Sequence, residues 1–80
     1  MTLKETIEAV ETFHNAFGIA NNDNPTVDLS ENDIKLRHRL MQEENEEYLE
    51  AAENGDLVEV ADALGDMLYI LCGTILKHGM

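Results

Sequence analysis

The run Arg39-Leu40-Met41-Gln42-Glu43-Glu44-Asn45-Glu46-Glu47, followed later by Asp62 and Asp66, is where this chain breaks an ordinary amphipathic pattern. Ten of its seventeen carboxylates fall between Glu43 and Asp66, several at positions where a packed helix wants apolar side chains. With residues 36–53 helical at about 100° per residue, Leu36, Leu40 and Ala51 share a stripe with Glu43, Glu44 and Glu47. A carboxylate turned toward a packing face suffers desolvation, which a cation, a proton or a metal ion has to offset. Only five Lys and Arg are present, so cationic side chains are scarce.

Further on, Leu57, Ala61, Leu64, Leu68, Leu71 and Ile75 recur as a second stripe, and Asp62 and Asp66, one turn apart, lie almost opposite it. Beyond Asp66 the acidic side continues as Ile70 and Gly73, so Met67–Leu76 is apolar nearly all round and is expected to be buried on both sides. Two antiparallel helices joined by a short turn would set Glu43, Glu44 and Glu47 against Asp62 and Asp66. Oxygen ligands clustered in this way suit Mg²⁺, with Mn²⁺ the alternative.

Eighty residues make one small all-α domain over 1–80, and a chain this short buries a marginal share of its surface when folding alone. A helical hairpin core in a four-helix-bundle-like arrangement, completed by a homodimer or homotetramer, is therefore expected. The net charge of −12 opposes direct binding to nucleic acid or anionic membrane, since both would repel it. The single cysteine, Cys72, lies in the apolar run and reads as a buried thiol. No basic segment leads into an apolar one at the start, and Met67–Leu76 is too short to cross a bilayer, so a cytoplasmic setting is expected.

Thr2-Leu3-Lys4-Glu5 has the form of a capping box, and Leu3, Ile7, Val10 and Phe17 follow at helical spacing, predicting a helix over about 3–17 ended by Gly18. His14 shares that stripe, as a core or interface histidine or as a substrate contact; Phe13 and Phe17 read as core. Residues 19–29, with Asn21-Asn22-Asp23-Asn24-Pro25, read as a loop. Ser30 starts a second helix over about 31–53, Asn54-Gly55 ends it, and Asp56 caps a third over about 57–78 with Glu59 as its reciprocal partner. Glu59 is thus both a capping residue and a possible metal ligand.

The string Arg37-His38-Arg39-Leu40-Met41-Gln42-Glu43-Glu44-Asn45-Glu46-Glu47, then Gly55-Asp56-Leu57 and Ala61-Asp62-Ala63-Leu64-Gly65-Asp66-Met67-Leu68-Tyr69, resembles the all-α nucleoside triphosphate pyrophosphohydrolases. Within them it looks most like the MazG-like and phosphoribosyl-ATP pyrophosphohydrolase-like branches, the second also through Phe13-His14-Asn15-Ala16-Phe17-Gly18 and Gly73-Thr74. The resemblance implies a helical hydrolase that uses Mg²⁺ to split a nucleotide between its α and β phosphates, releasing a monophosphate and pyrophosphate. Glu43, Glu44 and Glu47 match the first acidic motif. The second motif is usually Glu-x-x-Asp: aligned on Leu64-Gly65-Asp66 its glutamate position is Ala63, whereas Glu59-x-x-Asp62 has the spacing but shifts the apolar context by a turn, and Asp62 with Asp66 is the compromise taken to complete the metal shell. Relatives also usually continue past residue 80 with further helix.

Metal-bound water attacking phosphorus needs a general base, for which Glu43 and Glu46 are candidates. Arg37, Arg39 and Lys77 are candidate phosphate contacts, alongside charge balance within acidic helices. Tyr69, one turn beyond Asp66, could stack on a base or pack in the core. Two other expectations stand beside the enzyme: a relative that keeps the fold without turnover, given Ala63, and an acidic helical interaction module needing no metal.

Overall fold

The computed structural model describes residues 1–80 as three helices, α1 Leu3–Ala16, α2 Glu31–Glu53 and α3 Leu57–Lys77, with no strands. Each start is fixed by a side chain. Thr2 and Glu5 form the expected capping box, Ser30 Oγ accepts from the Asp33 amide at 3.1 Å, and Asp56 Oδ1 accepts from the Glu59 amide at 3.1 Å. These acceptors satisfy amides that have no partner within the helix. Between α2 and α3 the chain reverses through Asn54, Gly55 and Asp56, and Gly55 takes φ +68°, a conformation costly for any residue with a Cβ.

So short a turn makes α2 and α3 antiparallel neighbours. Their seam brings Glu44 beside Asp66 at one level and Arg37 beside Gly73 at another, seven residues along each helix. α1 packs against the C-terminal half of α3, where Val10, Cys72 and Leu76 form the core cluster with Ile7 and Tyr69 against it. Burying such a side chain stabilises by about 1.5–3 kcal/mol.

His14 sits at the junction of all three helices and is 1% exposed. Its Nδ1 is 2.9 Å from Asn21 Oδ1, which gives the buried ring a polar partner. A Cβ on residue 73 would lie 2.9 Å from Arg37 Nη1 and 3.2 Å from the His14 ring, so glycine is what lets these side chains close over α3. The 19–29 segment is the expected loop, and it is tied to the end of α3. Asn22 donates from its amide to Leu76 O and from Nδ2 to Lys77 O, and Thr26 N donates to His78 O. Carbonyls that α3 leaves unpaired at its end are thereby satisfied.

Burial departs from the sequence expectation on α3. The side facing α2 and α1 carries Ala63, Ile70, Cys72, Gly73 and Leu76, all buried, whereas the leucine stripe points outward, with Leu57 80%, Leu64 50% and Leu71 47% exposed. A single chain has no third layer to cover that stripe. Phe13 and Phe17 are likewise not core, because α1 turns Val10 and His14 inward and leaves both rings outside.

Candidate metal centre

Glu44 and Glu47 stand one turn apart on α2, and the register of the hairpin places Asp66 of α3 across from them. One carboxylate oxygen from each lies within 4.8 Å of the others. Glu44 is half-buried while Glu47 and Asp66 are exposed, so the cluster opens to solvent on one side. Glu44 Oε2 is buried without a hydrogen-bond partner. A buried anionic oxygen with no donor is a costly arrangement for a protein to keep. Burial, followed by the neighbouring Glu47 carboxylate and then by the charges of Asp66 and Glu43, holds the Glu44 carboxyl above its ordinary value. A divalent cation answers each of these causes, and an all-carboxylate donor set fits a hard ion such as Mg²⁺.

Beyond the cluster, toward the turn, a cleft of about 430 Å³ is lined by Glu47, Glu50, Glu59, Asp62 and Asp66 over a floor that includes Ala51 and Ala63. Asp62 and Glu59 thus lie in an acidic cleft continuous with the cluster, and of the reciprocal cap expected at α3 only the half in which the Glu59 amide donates to Asp56 Oδ1 forms, leaving the Glu59 carboxylate to the cleft. Glu50 was not singled out by the sequence reading. Its only signal was a position one turn beyond Glu47.

The remaining candidates divide. Glu43 stays outside the three-acid group and lies 3.9 Å from Arg39 in a pair exposed on both sides, worth little in stability. Glu46 is exposed and two residues from Glu44, about 200° round α2, so the structure does not bring it to the cluster. Arg37 is half-buried on the seam against His14, about 10 Å of helix from Glu44. Lys77 lies in the last turn of α3, eleven residues beyond Asp66, with its carbonyl accepting from Asn22. Tyr69 is half-buried, edge-on to Phe13 at 5.5 Å and to His14 at 6.1 Å. The Asn21 partner of His14 had no sequence signal, because loop and helix meet only in three dimensions.

A profile of the phosphoribosyl-ATP pyrophosphohydrolase family matches residues 10–80. The chain belongs to the phosphoribosyl-ATP pyrophosphohydrolase family. The match takes in all of α2 and α3 and the half of α1 that carries Val10 and His14, so the acidic cluster and the His14 junction both lie inside it. Membership in the phosphoribosyl-ATP pyrophosphohydrolase family implies pyrophosphohydrolase chemistry in general and a nucleotide as substrate. No curated protein matches the chain. No helix is long and apolar enough to cross a membrane.

Proposed function

We propose that this chain is a Mg²⁺-dependent nucleotide pyrophosphohydrolase, cleaving between the α and β phosphates to give a nucleoside monophosphate and pyrophosphate. The observation that carries the proposal is the convergence of Glu44, Glu47 and Asp66 around a buried, unpartnered carboxylate oxygen. Family membership supplies the reaction class.

Bound Mg²⁺, or Mn²⁺, would supply positive charge for phosphate oxygens and acidify a water for attack on phosphorus. Glu44, Glu47 and Asp66 would hold it, and Asp62 and Glu59 extend the acidic wall toward the turn. Without a cation this wall repels a polyphosphate, which makes activity depend on the metal from the first encounter. Of the two candidate bases, Glu43, beside the cluster but outside it, would accept the water's proton, since Glu46 faces away. Arg37, the part-buried cation on the same seam, would offer the substrate a positive contact beyond the cluster.

The outward leucine stripe of α3 supports the oligomer expected from chain length. A second copy laying the same stripe against it would complete a four-helix bundle, a homodimer or homotetramer working in the cytoplasm. One observation favours a second reading, a relative without turnover: Ala63, which takes the glutamate position of the family's second motif when the chain is aligned on Leu64-Gly65-Asp66, is buried at the floor of the cleft.

The test is pyrophosphate release from a panel of nucleoside and deoxynucleoside triphosphates with Mg²⁺, Mn²⁺ or EDTA. Metal-dependent release, falling about a hundredfold or more in both Glu47→Gln and Asp66→Asn, is expected. Release that is indifferent to EDTA would sink the metal mechanism, and no release from any substrate would favour the relative without turnover.

A further inference from the structure

His14 is a buried group that neither the metal site nor the core explains. At 1% exposure its ring cannot touch a substrate, and an aliphatic side chain would fill the same space without the cost of burying ring nitrogens. The contacts of the ring have a direction. Nδ1 lies 2.9 Å from Asn21 Oδ1, on a loop that Asn22 ties to the end of α3. At the other edge Nε2 and Cε1 stand 3.2 Å, and Arg37 Nη1 2.9 Å, from the point a residue-73 Cβ would occupy, so imidazole and guanidinium meet over the bare Gly73 backbone. Arg37 also stands apart from the other cations of α1 and α2. Lys4, Lys35 and Arg39 each pair with a glutamate one turn away. Half-buried Arg37 forms no ion pair in a chain with seventeen acids, although Asp33 precedes it by one turn.

We propose that His14, held by Asn21, is a positioning residue for Arg37: it keeps the guanidinium on the seam and unpaired, free to meet the anionic phosphates of the substrate. The inference rests on the Arg37 contact read above and adds what places that cation. A guanidinium has donors and no acceptor, so the ring edge that suits it is a nitrogen lone pair and not an N–H. This fixes the tautomer: Nδ1–H donates to Asn21 Oδ1, and Nε2 is left bare toward Arg37. The opposite assignment, with the Asn21 amide turned over and Nε2–H aimed at the guanidinium, sets donor against donor. Asn21 Nδ2 is buried without a partner, so the contact with His14 is the one hydrogen bond holding that amide, and losing the ring releases both of its neighbours. Asp33 then competes for Arg37 through an ordinary one-turn pair. A phosphate would have to displace an acid that the intact junction keeps away.

Two measurements test this. Nitrogen NMR spectra of the imidazole in mildly alkaline buffer report the tautomer in the parent chain; a bare Nε2 is expected, and an Nε2–H ring would overturn the proposal. Calorimetry then follows inorganic tripolyphosphate with saturating Mg²⁺ on the full chain, on Arg37→Ala, His14→Phe and Asn21→Ala, and on the doubles that join each of the last two to Arg37→Ala. Arg37→Ala should weaken binding about tenfold, and His14→Phe and Asn21→Ala about fivefold each, with affinity for Mg²⁺ alone unchanged. In the Arg37→Ala background those losses should disappear, because a residue acting through the guanidinium has nothing left to position. A purely structural role would lower the unfolding midpoint and leave the losses additive. Losses that persist undiminished in the doubles, or His14 and Asn21 variants that bind like the parent while Arg37→Ala does not, would overturn the positioning role and leave the Arg37 contact standing. Affinity unmoved by Arg37→Ala would overturn contact and positioning together and leave the acidic site. Absence of Mg²⁺-dependent binding in the parent would overturn all three. Should His14→Phe not fold, the Asn21→Ala comparison and the tautomer decide the matter.

Discussion

The two halves of the α2–α3 seam are built on the same pair of helices and meet opposite fates. Near the turn, the facing positions carry Glu44, Glu47, Asp62 and Asp66, and the seam opens as an acidic cleft. Toward the other end, the side chains are Ile70, Cys72, Gly73 and Leu76, and α1 closes over them. Helix propensity does not distinguish the halves. What differs is whether the side chains facing the seam can be satisfied by protein alone: apolar groups can, and α1 supplies the cover, whereas clustered carboxylates cannot and are left facing water and ions.

This contrast is open to direct attack. The largest effect is expected in the covered half, where Leu76→Ala, truncating a buried member of the core cluster, should lower unfolding free energy by about 3 kcal/mol in urea titrations. In the open half, saturating Mg²⁺ at about a hundred times its Kd should stabilise the chain by about 2.7 kcal/mol, a rise in Tm of roughly 15 °C, and Asp66→Asn should abolish that rise. An equal rise in the variant would mean the ion binds elsewhere. At the junction, Gly73→Ala brings a methyl against Arg37 and His14; the arginine tip can swing away but the buried ring has little room, so a loss of about 1 kcal/mol is expected on thermal unfolding.

The smallest effect separates charge from packing. Because the Glu44 carboxyl is held above its ordinary value in the fold, its ionised form destabilises the metal-free protein at neutral pH. Relative to a Glu44→Gln variant, the parent in EDTA should therefore be less stable at neutral pH. The gap should narrow as pH falls through the raised value and close below the ordinary carboxylate range. A gap that widens toward acid would show that Glu44 is stabilised rather than strained by its neighbours.

Much of the fold was legible because its punctuation is chemical and local. Thr2, Ser30 and Asp56 cap helices from their own side chains, Gly55 meets the positive φ its turn demands, and the helix limits agree with the spacing to within a residue. That acids from two helices would face one another also followed from periodicity. Which of them converge did not, since it depends on hairpin register and on how far each helix is rotated, and Glu43, at the edge of its stripe, falls outside the close group while Glu44 falls within. The leucine stripe of α3 and the rings of Phe13 and Phe17 misled for a related reason: spacing shows that a face is apolar, and not which of two apolar faces a neighbour will cover. The His14–Asn21 contact lay beyond any spacing argument because its partners belong to different kinds of element.

The three-residue reversal at Gly55 also has a kinetic meaning. The pairs nearest that turn, around Ala51 and Ala63, are only about a dozen residues apart in sequence, so closing the hairpin costs little loop entropy and can begin within microseconds. α1 must instead be carried across residues 17–30 to reach Leu76, a longer search that gains its stability only once α3 is formed. Carboxylate convergence and aromatic cover are thus expected to arise in that order, the acidic face assembled by the hairpin and the ring-bearing face added when α1 docks.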